Sequence, residues 1–315
     1  MRTSYSGVDV GGANVKVYRG DSGEVEIHYF PMWRRWRELE GFLSSLGIGG
    51  RVGVVLTAEL ADSFSSKAEG VEYVANAAKR AFGDVVFIDV DGNLRRDVDE
   101  PERFAANNWV ASVKLLSESY ESFIFADMGS TTTDIVPVVD GQIMAGRTDY
   151  ERLRRNELLY FGMLRTPTFF LLKDNCSSEL FSITADVTLV AGLIRESDYT
   201  CDTPDGRGRS ERECMQRIAR QFCADLEELG EDFVRQKTGE VVEEMVRRVS
   251  AAFEEKSSEY GVDLVVGCGI GEAVLEMAAE RAGLDYVSVS KEFGEVSKAF
   301  PAYAIARLVE RYDSG

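Results

Sequence analysis

Hydrophobic positions in the first third of the chain fall in short runs rich in β-branched and aromatic residues, separated by stretches with helical spacing. Tyr5–Val10, Val15–Arg19 and Val25–Phe30 read as three strands of a meander, with the turn residues Asp21-Ser22-Gly23 before the third. A helix-like stretch follows over Trp33–Leu46, then a strand at Arg51–Thr57, a helix near Lys67–Phe82, a strand at Val85–Val90 and a helix near Pro101–Leu116. The order is βββαβαβα.

The same order begins again at Phe123–Asp127 and continues through Thr133–Val138 and Gln142–Arg147 before a long helical region interrupts it. It resumes with Leu264–Gly267, Glu272–Ala282, Tyr286–Val289 and Pro301–Tyr312. Asp9 and Asp127 each end a first strand, Lys16 and Asp134 each fall seven residues later, and both pairs are separated by the same offset of 118 positions. A repeat of this kind determines the architecture. It predicts an α/β protein of two lobes around a central cleft, 1–122 and 123–315, the second carrying a mainly helical insertion at about 150–260. Asp9 and Asp127 are expected to face each other across that cleft.

Length supports two lobes, because 315 residues exceed what one hydrophobic core normally serves. The composition, 44% hydrophobic and 29% charged, is that of a globular protein, and a formal charge of −18 disfavours nucleic acid as a partner. No apolar run is long enough for a membrane span, and a strand beginning near Tyr5 leaves no room for a signal peptide. The expectation is a cytoplasmic protein acting on a phosphorylated small molecule, with homo-oligomerisation left open. Cys176, Cys201, Cys214, Cys223 and Cys268 lack metal-ligand spacing and read as reduced structural residues. His28 is the single histidine and lies in a strand, which argues against a Ser-His-Asp triad or a His-rich zinc site.

The chemistry concentrates at the strand ends. Gly11, Gly12, Ala13 and Asn14, with Lys16 as cation, form a turn able to aim backbone N–H groups at phosphate; Gly129, Ser130, Thr131 and Thr132 do so in the second lobe. Asp9 and Asp127 suit Mg2+, which takes one or two protein carboxylates beside substrate phosphates, and Asp127 is also a candidate catalytic group. Arg147, after the second hairpin, is a further candidate phosphate ligand; Arg152, Arg154 and Arg155 read more simply as a solvated helix face. Gly267, Gly269 and Gly271 lie where a strand turns into a helix, a setting for nucleotide or substrate, but their spacing lacks the dinucleotide-fold fingerprint. Glu59 and Asp62 follow the strand Arg51–Thr57 and read either as a general base or as helix N-terminal acids. Trp33–Arg37 opens an amphipathic helix, Glu227–Glu259 reads as solvated helix, and Ser210-Glu211-Arg212-Glu213 is a capping box after the loop Asp202–Arg209. That loop could also shape substrate specificity through Asp202, Asp205 and Arg207.

At these residues the chain resembles the actin-like ATPase superfamily, which has two phosphate motifs and an adenosine motif in this order. The resemblance implies duplicated actin/sugar-kinase-like (ribonuclease H-like) lobes. The stretches Gly7-Val8-Asp9-Val10-Gly11-Gly12 and Asp127-Met128-Gly129-Ser130-Thr131-Thr132-Thr133-Asp134 look like the hydantoinase A/oxoprolinase branch. Ala13 stands where many members place a phosphate-contacting Thr, and Asn14-Val15-Lys16 looks like the sugar-kinase version, which leaves ATP open as a ligand. Leu56–Phe64, Thr184–Val187 and Cys201–Gly208 resemble the archaeal and methylotroph proteins of one-carbon transfer and methanofuran biosynthesis. That narrower resemblance implies a synthase joining an aminomethylfuran-methyl diphosphate to the phenol of γ-glutamyltyramine with release of diphosphate. The alternatives are an ATP-dependent kinase or hydantoinase-type enzyme and, third, a nucleotide-sensing assembly protein.

Overall fold

The computed structural model describes residues 4–172 and 175–314. The chain forms two compact units, one made of Met1–Ser122, Asp140–Glu151 and Ser290–Gly315, the other of Phe123–Val139 and Arg152–Val289.

The first unit contains the strands β1 (Tyr5–Gly11), β2 (Asn14–Tyr18), β3 (Val25–Tyr29), β4 (Arg51–Thr57), β5 (Val85–Ile88) and β6 (Leu94–Arg95) in the sheet order β3-β2-β1-β4-β5-β6. β1 and β4 run parallel at the centre, and their middle residues are buried without a break, as expected for strands covered on both faces. Period-two alternation sends Val8 and Val10 into a core shared with Val54, Leu56, Val71, Val74 and Phe87. It sends Gly7, Asp9 and Gly11 to the opposite face. There the helix Phe300–Ser314 packs on β1 and β4 across the register pair Gly7 and Gly53.

The stretch Trp33–Leu46 is not one helix but Met32–Arg35, a 3-10 turn at Trp36–Glu38 and Leu39–Ser45. Pro101 likewise opens a 3-10 turn ending at Phe104, and the α-helix begins at Asn108. The helix predicted at Pro101–Leu116 is thus two elements. Trp36 packs edge-on to Phe64 and Tyr73, as an amphipathic segment requires.

In the second unit β7 (Phe123–Met128) and β8 (Thr133–Val139) pair antiparallel, and the sheet order is Leu158–Leu159, β8, β7, Leu264–Cys268, Asp285–Ser288. The third strand expected at Gln142–Arg147 extends only over Gln142–Ile143, and Leu158–Leu159 takes the sheet edge beside β8. The helical insertion contains Thr184–Val190, Glu211–Arg220, Leu226–Leu229 and the 30-residue helix Glu231–Tyr260. The last carries a charged outer face, but Val234, Val241, Met245, Val249 and Phe253 bury its other side. Ser210 caps the helix Glu211–Arg220 with Glu213 closing the expected capping box.

The helix Phe300–Ser314, placed by the repeat with residues 123–315, packs on the first unit's sheet. Its seat is two missing side chains: a Cβ on Gly7 would stand 1.8 Å from the Ala302 carbonyl oxygen, and one on Gly53 2.7 Å from Ile305 Cγ1. Gly7→Ala is therefore expected to destabilise the protein by about 3 kcal/mol, since neither the strand nor the helix backbone can yield cheaply. The midpoint of denaturant unfolding measures this, and a wild-type midpoint for the variant would show that the helix does not rest on Gly7.

Candidate active site

At the C-terminal ends of β1 and β4 the polar residues of one sheet face come together. Asp9 and Lys16 are register partners across the β1–β2 hairpin, with Nζ 4.0 Å from the carboxylate, and Thr57 Oγ1 lies 3.5 Å from Asp9 Oδ1 on the other side. Nothing in the local sequence marks Thr57; it shares the face of Asp9 because β1 and β4 run parallel with Gly11 opposite Thr57. The turn between β1 and β2 is fastened from behind, where Met32 N–H donates to Gly12 O and Phe30 N–H to Ala13 O. Asn14 begins β2 opposite Tyr29. A Cβ on Gly11 would press on Asn14 O at 2.9 Å, whereas one on Gly12 would meet nothing nearer than Thr57 O at 4.0 Å.

Glu59, two residues beyond β4, is 3% exposed, and its Oε2 has no hydrogen-bond partner among the described residues. Burial pushes its carboxyl up to about 7, with Asp149 adding to the rise; its own backbone N–H, the Lys67 ammonium and the Ala106 N–H oppose it. Asp62 is exposed in the following turn. Neither is a helix cap: the helix Lys67–Phe82 is capped by Ser66, whose hydroxyl accepts from Glu69 N–H at 3.2 Å. Gly70 in that helix packs on Glu59, a Cβ there falling 2.7 Å from Glu59 Cα.

In the second unit Asp127 and Asp134 are register partners across β7 and β8, and Asp134 is held by the buried Arg152. The turn Gly129–Thr132 is closed by Gly129 N–H donating to Thr132 O at 3.0 Å. Behind it the N–H groups of Met163, Leu164 and Arg165 donate to the carbonyls of Gly129 and Ser130. Gly162 allows this approach, since a Cβ there would lie 2.7 Å from Thr131 N. The Arg165 side chain reaches Thr131 Oγ1 at 3.4 Å. Arg165 is the cation of this turn, and nothing in the local sequence marks it, because a tertiary backbone contact brings it there. Arg147, the sequence candidate, lies in the first unit and pairs with Asp91, which Arg103 also holds.

The three glycines after Leu264–Val266 are accounted for by packing. Gly267 lies under the Tyr286 ring, Gly271 against the Met128 side chain, and Gly269, at φ +91°, leaves the space in which Asp127 Oδ1 sits 2.5 Å from where a Cβ would be. The loop Asp202–Arg209 is likewise tied down: buried Arg217 bridges Asp186 and Asp205, Arg220 also holds Asp205, and Tyr199 donates to Asp186 at 3.0 Å. Asp205 thus has an architectural role. Among the described residues no cluster of three or more His, Cys, Asp or Glu side chains could hold a metal by itself. Magnesium needs only one or two protein carboxylates beside phosphate and water, and Asp9 in the first unit and Asp127 in the second each stand in a strand that leads into a glycine-containing turn.

The hydantoinase/oxoprolinase family model matches residues 51–312. The chain belongs to that family. It is 37% identical, over 99% of both chains, to the (4-{4-[2-(γ-L-glutamylamino)ethyl]phenoxymethyl}furan-2-yl)methanamine synthase of Methanocaldococcus jannaschii. Among solved structures it resembles a ROK family glucokinase from Streptomyces griseus (13% identity, 97% of this chain and 98% of that one, TM-score 0.51). It also resembles acetone carboxylase (14% identity, 90% of this chain and 50% of that one, TM-score 0.55). These likenesses place this family member in the actin-like sugar-kinase fold.

The raised Glu59 carboxyl makes stability depend on pH. A buried acid with a folded value of about 7 against 4.5 unfolded binds its proton more tightly in the native state, so its penalty is absent below 4.5 and grows until pH passes 7. Glu59→Gln is expected to gain stability over the wild type progressively across that window, by about 3 kcal/mol at its upper end. Denaturant titrations at pH 5 and pH 8 check this, and an equal difference at both values would show that Glu59 is not desolvated.

Proposed function

We propose that this protein forms the ether bond of (4-{4-[2-(γ-L-glutamylamino)ethyl]phenoxymethyl}furan-2-yl)methanamine by transferring an aminomethylfuran-methyl group from its diphosphate to the phenol of γ-glutamyltyramine. The observation that carries this is the full-length likeness to the synthase of that name, 37% identical over 99% of both chains. In the product the phenol oxygen is bonded to the methylene on the furan. That bond forms as the methylene–diphosphate bond breaks, diphosphate leaves with the electron pair, and the phenol proton goes to a base.

Two demands follow from that balance. The leaving group's charge must be met by donors and cations placed where it develops. Each unit offers such donors with a cation: the turn Gly11–Asn14 with Lys16 in the first, and the turn Gly129–Thr132 with Arg165 in the second. Gly12 and Gly129 have room for a Cβ, so their bare backbone serves approach by an anion better than it serves packing. Magnesium, when bound, would neutralise phosphate charge; Asp9 at the first unit's turn and Asp127 at the second's are each a carboxylate able to hold it. The second demand is a proton acceptor for a phenol whose reference pKa is about 10. Glu59 fits, being buried, with an unpartnered Oε2 and a carboxyl poised near neutrality. Asp62 is exposed and is expected to be dispensable.

ATP enters nowhere in this balance and would at most compete for the phosphate-binding turns. Gly267, Gly269 and Gly271, the sequence candidates for a nucleotide, are engaged by Tyr286, Asp127 and Met128. A cytoplasmic setting is part of this reading and fits cysteines that form no disulfide among the described residues.

The test supplies the furan diphosphate, γ-glutamyltyramine and magnesium, with and without ATP, and follows the ether and diphosphate. Product without ATP is expected; strict ATP dependence with ADP formation would overturn the leaving-group reading in favour of a kinase-type reaction. Turnover should rise with pH through about 7, because Glu59 must be ionised to accept the phenol proton. Glu59→Gln should lower kcat by at least about a hundredfold while diphosphate binding persists. Asp127→Asn should instead weaken magnesium-dependent diphosphate binding in a protein that still folds, measured by calorimetry; a collapse of folding with unchanged binding would make Asp127 structural.

A further inference from the structure

Three helical segments of the second unit line a cavity of about 740 Å3, the size of a small-molecule site rather than of a packing defect. Its walls come from the helices Glu231–Tyr260 and Glu272–Ala282 and from the end of Thr184–Val190 with the turn after it. Val190, Leu193, Val242, Val246 and Met277 make it apolar. None of them belongs to the candidate active site.

Two residues of the helix Glu231–Tyr260 at this cavity are not explained by packing. Gly239 lies well inside the helix, where glycine costs stability relative to alanine, yet a Cβ there would meet nothing within 4 Å. Its neighbour Thr238, also in the lining, is 3% exposed, and its Oγ1 has no hydrogen-bond partner among the described residues. A helical threonine commonly turns that hydroxyl back to a carbonyl one turn earlier; here it does not, and a buried hydroxyl without a partner is the kind of group that a ligand or water completes. The cations at the cavity are already answered, Arg281 by Glu243 and Arg235 by Glu211 at 2.8 Å. Glu280 also lines it, is exposed, and takes part in no ion pair among the described residues. The charge left for a ligand is therefore negative.

We propose that this cavity binds an aromatic primary amine in its protonated form, the ring lying on the bare backbone at Gly239 beside the Met277 thioether and the ammonium pairing with Glu280. The apolar lining takes the ring out of water, and the Thr238 hydroxyl is available to a second polar group on the ligand. The inference goes beyond the reaction assigned above and does not depend on it, although the product proposed there ends in an amine of this class.

The probe is biphenyl-4-ylmethanamine, titrated calorimetrically into the full-length protein at pH 7, with biphenyl-4-ylmethanol as its neutral counterpart and biphenyl-4-carboxylate as its anionic one. The amine is expected to bind about fivefold more tightly than the alcohol, as an exposed ion pair allows, and the carboxylate more weakly than either. Glu280→Gln should erase the preference for the amine while leaving the alcohol's affinity unchanged. Gly239→Leu, which puts a strong helix former where the cavity is open, should abolish binding of both. Shifts of the Met277 methyl resonance during titration locate the ring, and with Glu280→Gln they decide the matter should Gly239→Leu not fold. Absence of binding to the wild type, or binding that survives both substitutions, overturns the proposal. So does equal affinity for amine, alcohol and carboxylate, which would leave an apolar cavity with no choice of charge. A wild-type dimer that Gly239→Leu dissociates in sedimentation would overturn it too, by making the cavity a subunit interface.

Discussion

The first unit is organised by the contact between the helix Phe300–Ser314 and the bare backbone at Gly7 and Gly53. Two parallel strands can be buried on both faces only if something apolar covers each face, and here one cover lies so close that no side chain fits beneath it. This keeps β1 and β4 in register. The register in turn sets Gly11 beside Thr57 and Asp9 beside Val55, so the turn after β1 and the segment leading to Glu59 leave the sheet together. A segment from the far end of the chain thus sets the geometry of chemistry encoded in its first sixty residues.

Buried polar groups separate architecture from function. Arg217 with Asp186 and Asp205, and Arg152 with Asp134, are charges removed from water but answered by charge and hydrogen bonds, and they lock the insertion and the β8 edge in place. Glu59 is equally buried, yet its Oε2 has no partner, and the fold keeps it near neutrality by desolvation. Groups of that kind raise the cost of folding and are usually found where a substrate will supply what is missing. Glu59 and Asp186 are thus both buried acids, but only Asp186 is answered by a paired charge, and the unpartnered oxygen of Glu59 is what the proposed role as base rests on.

The sequence by itself determined the repeat, the strand ends that carry Asp9, Asp127 and the two glycine-containing turns, the family resemblance, and Glu59 as one of two acids after β4. These are legible because strand alternation and turn chemistry act over a few residues. Tertiary structure decided what depends on distant segments meeting. Local periodicity could not show that residues 300–314 cover the first unit's sheet, because the pattern specifies an apolar helix face but not its partner. Arg147 is nearer than Arg165 in sequence to the turn Gly129–Thr132, yet backbone bonds from residues 163–165 to Gly129 and Ser130 bring Arg165 to Thr131, while Arg147 spends its charge on Asp91. Glu59 and Asp62 are likewise alike on paper. Only the assembled fold buries Glu59 and leaves Asp62 exposed, and desolvation is a property of that fold that no short stretch of sequence contains.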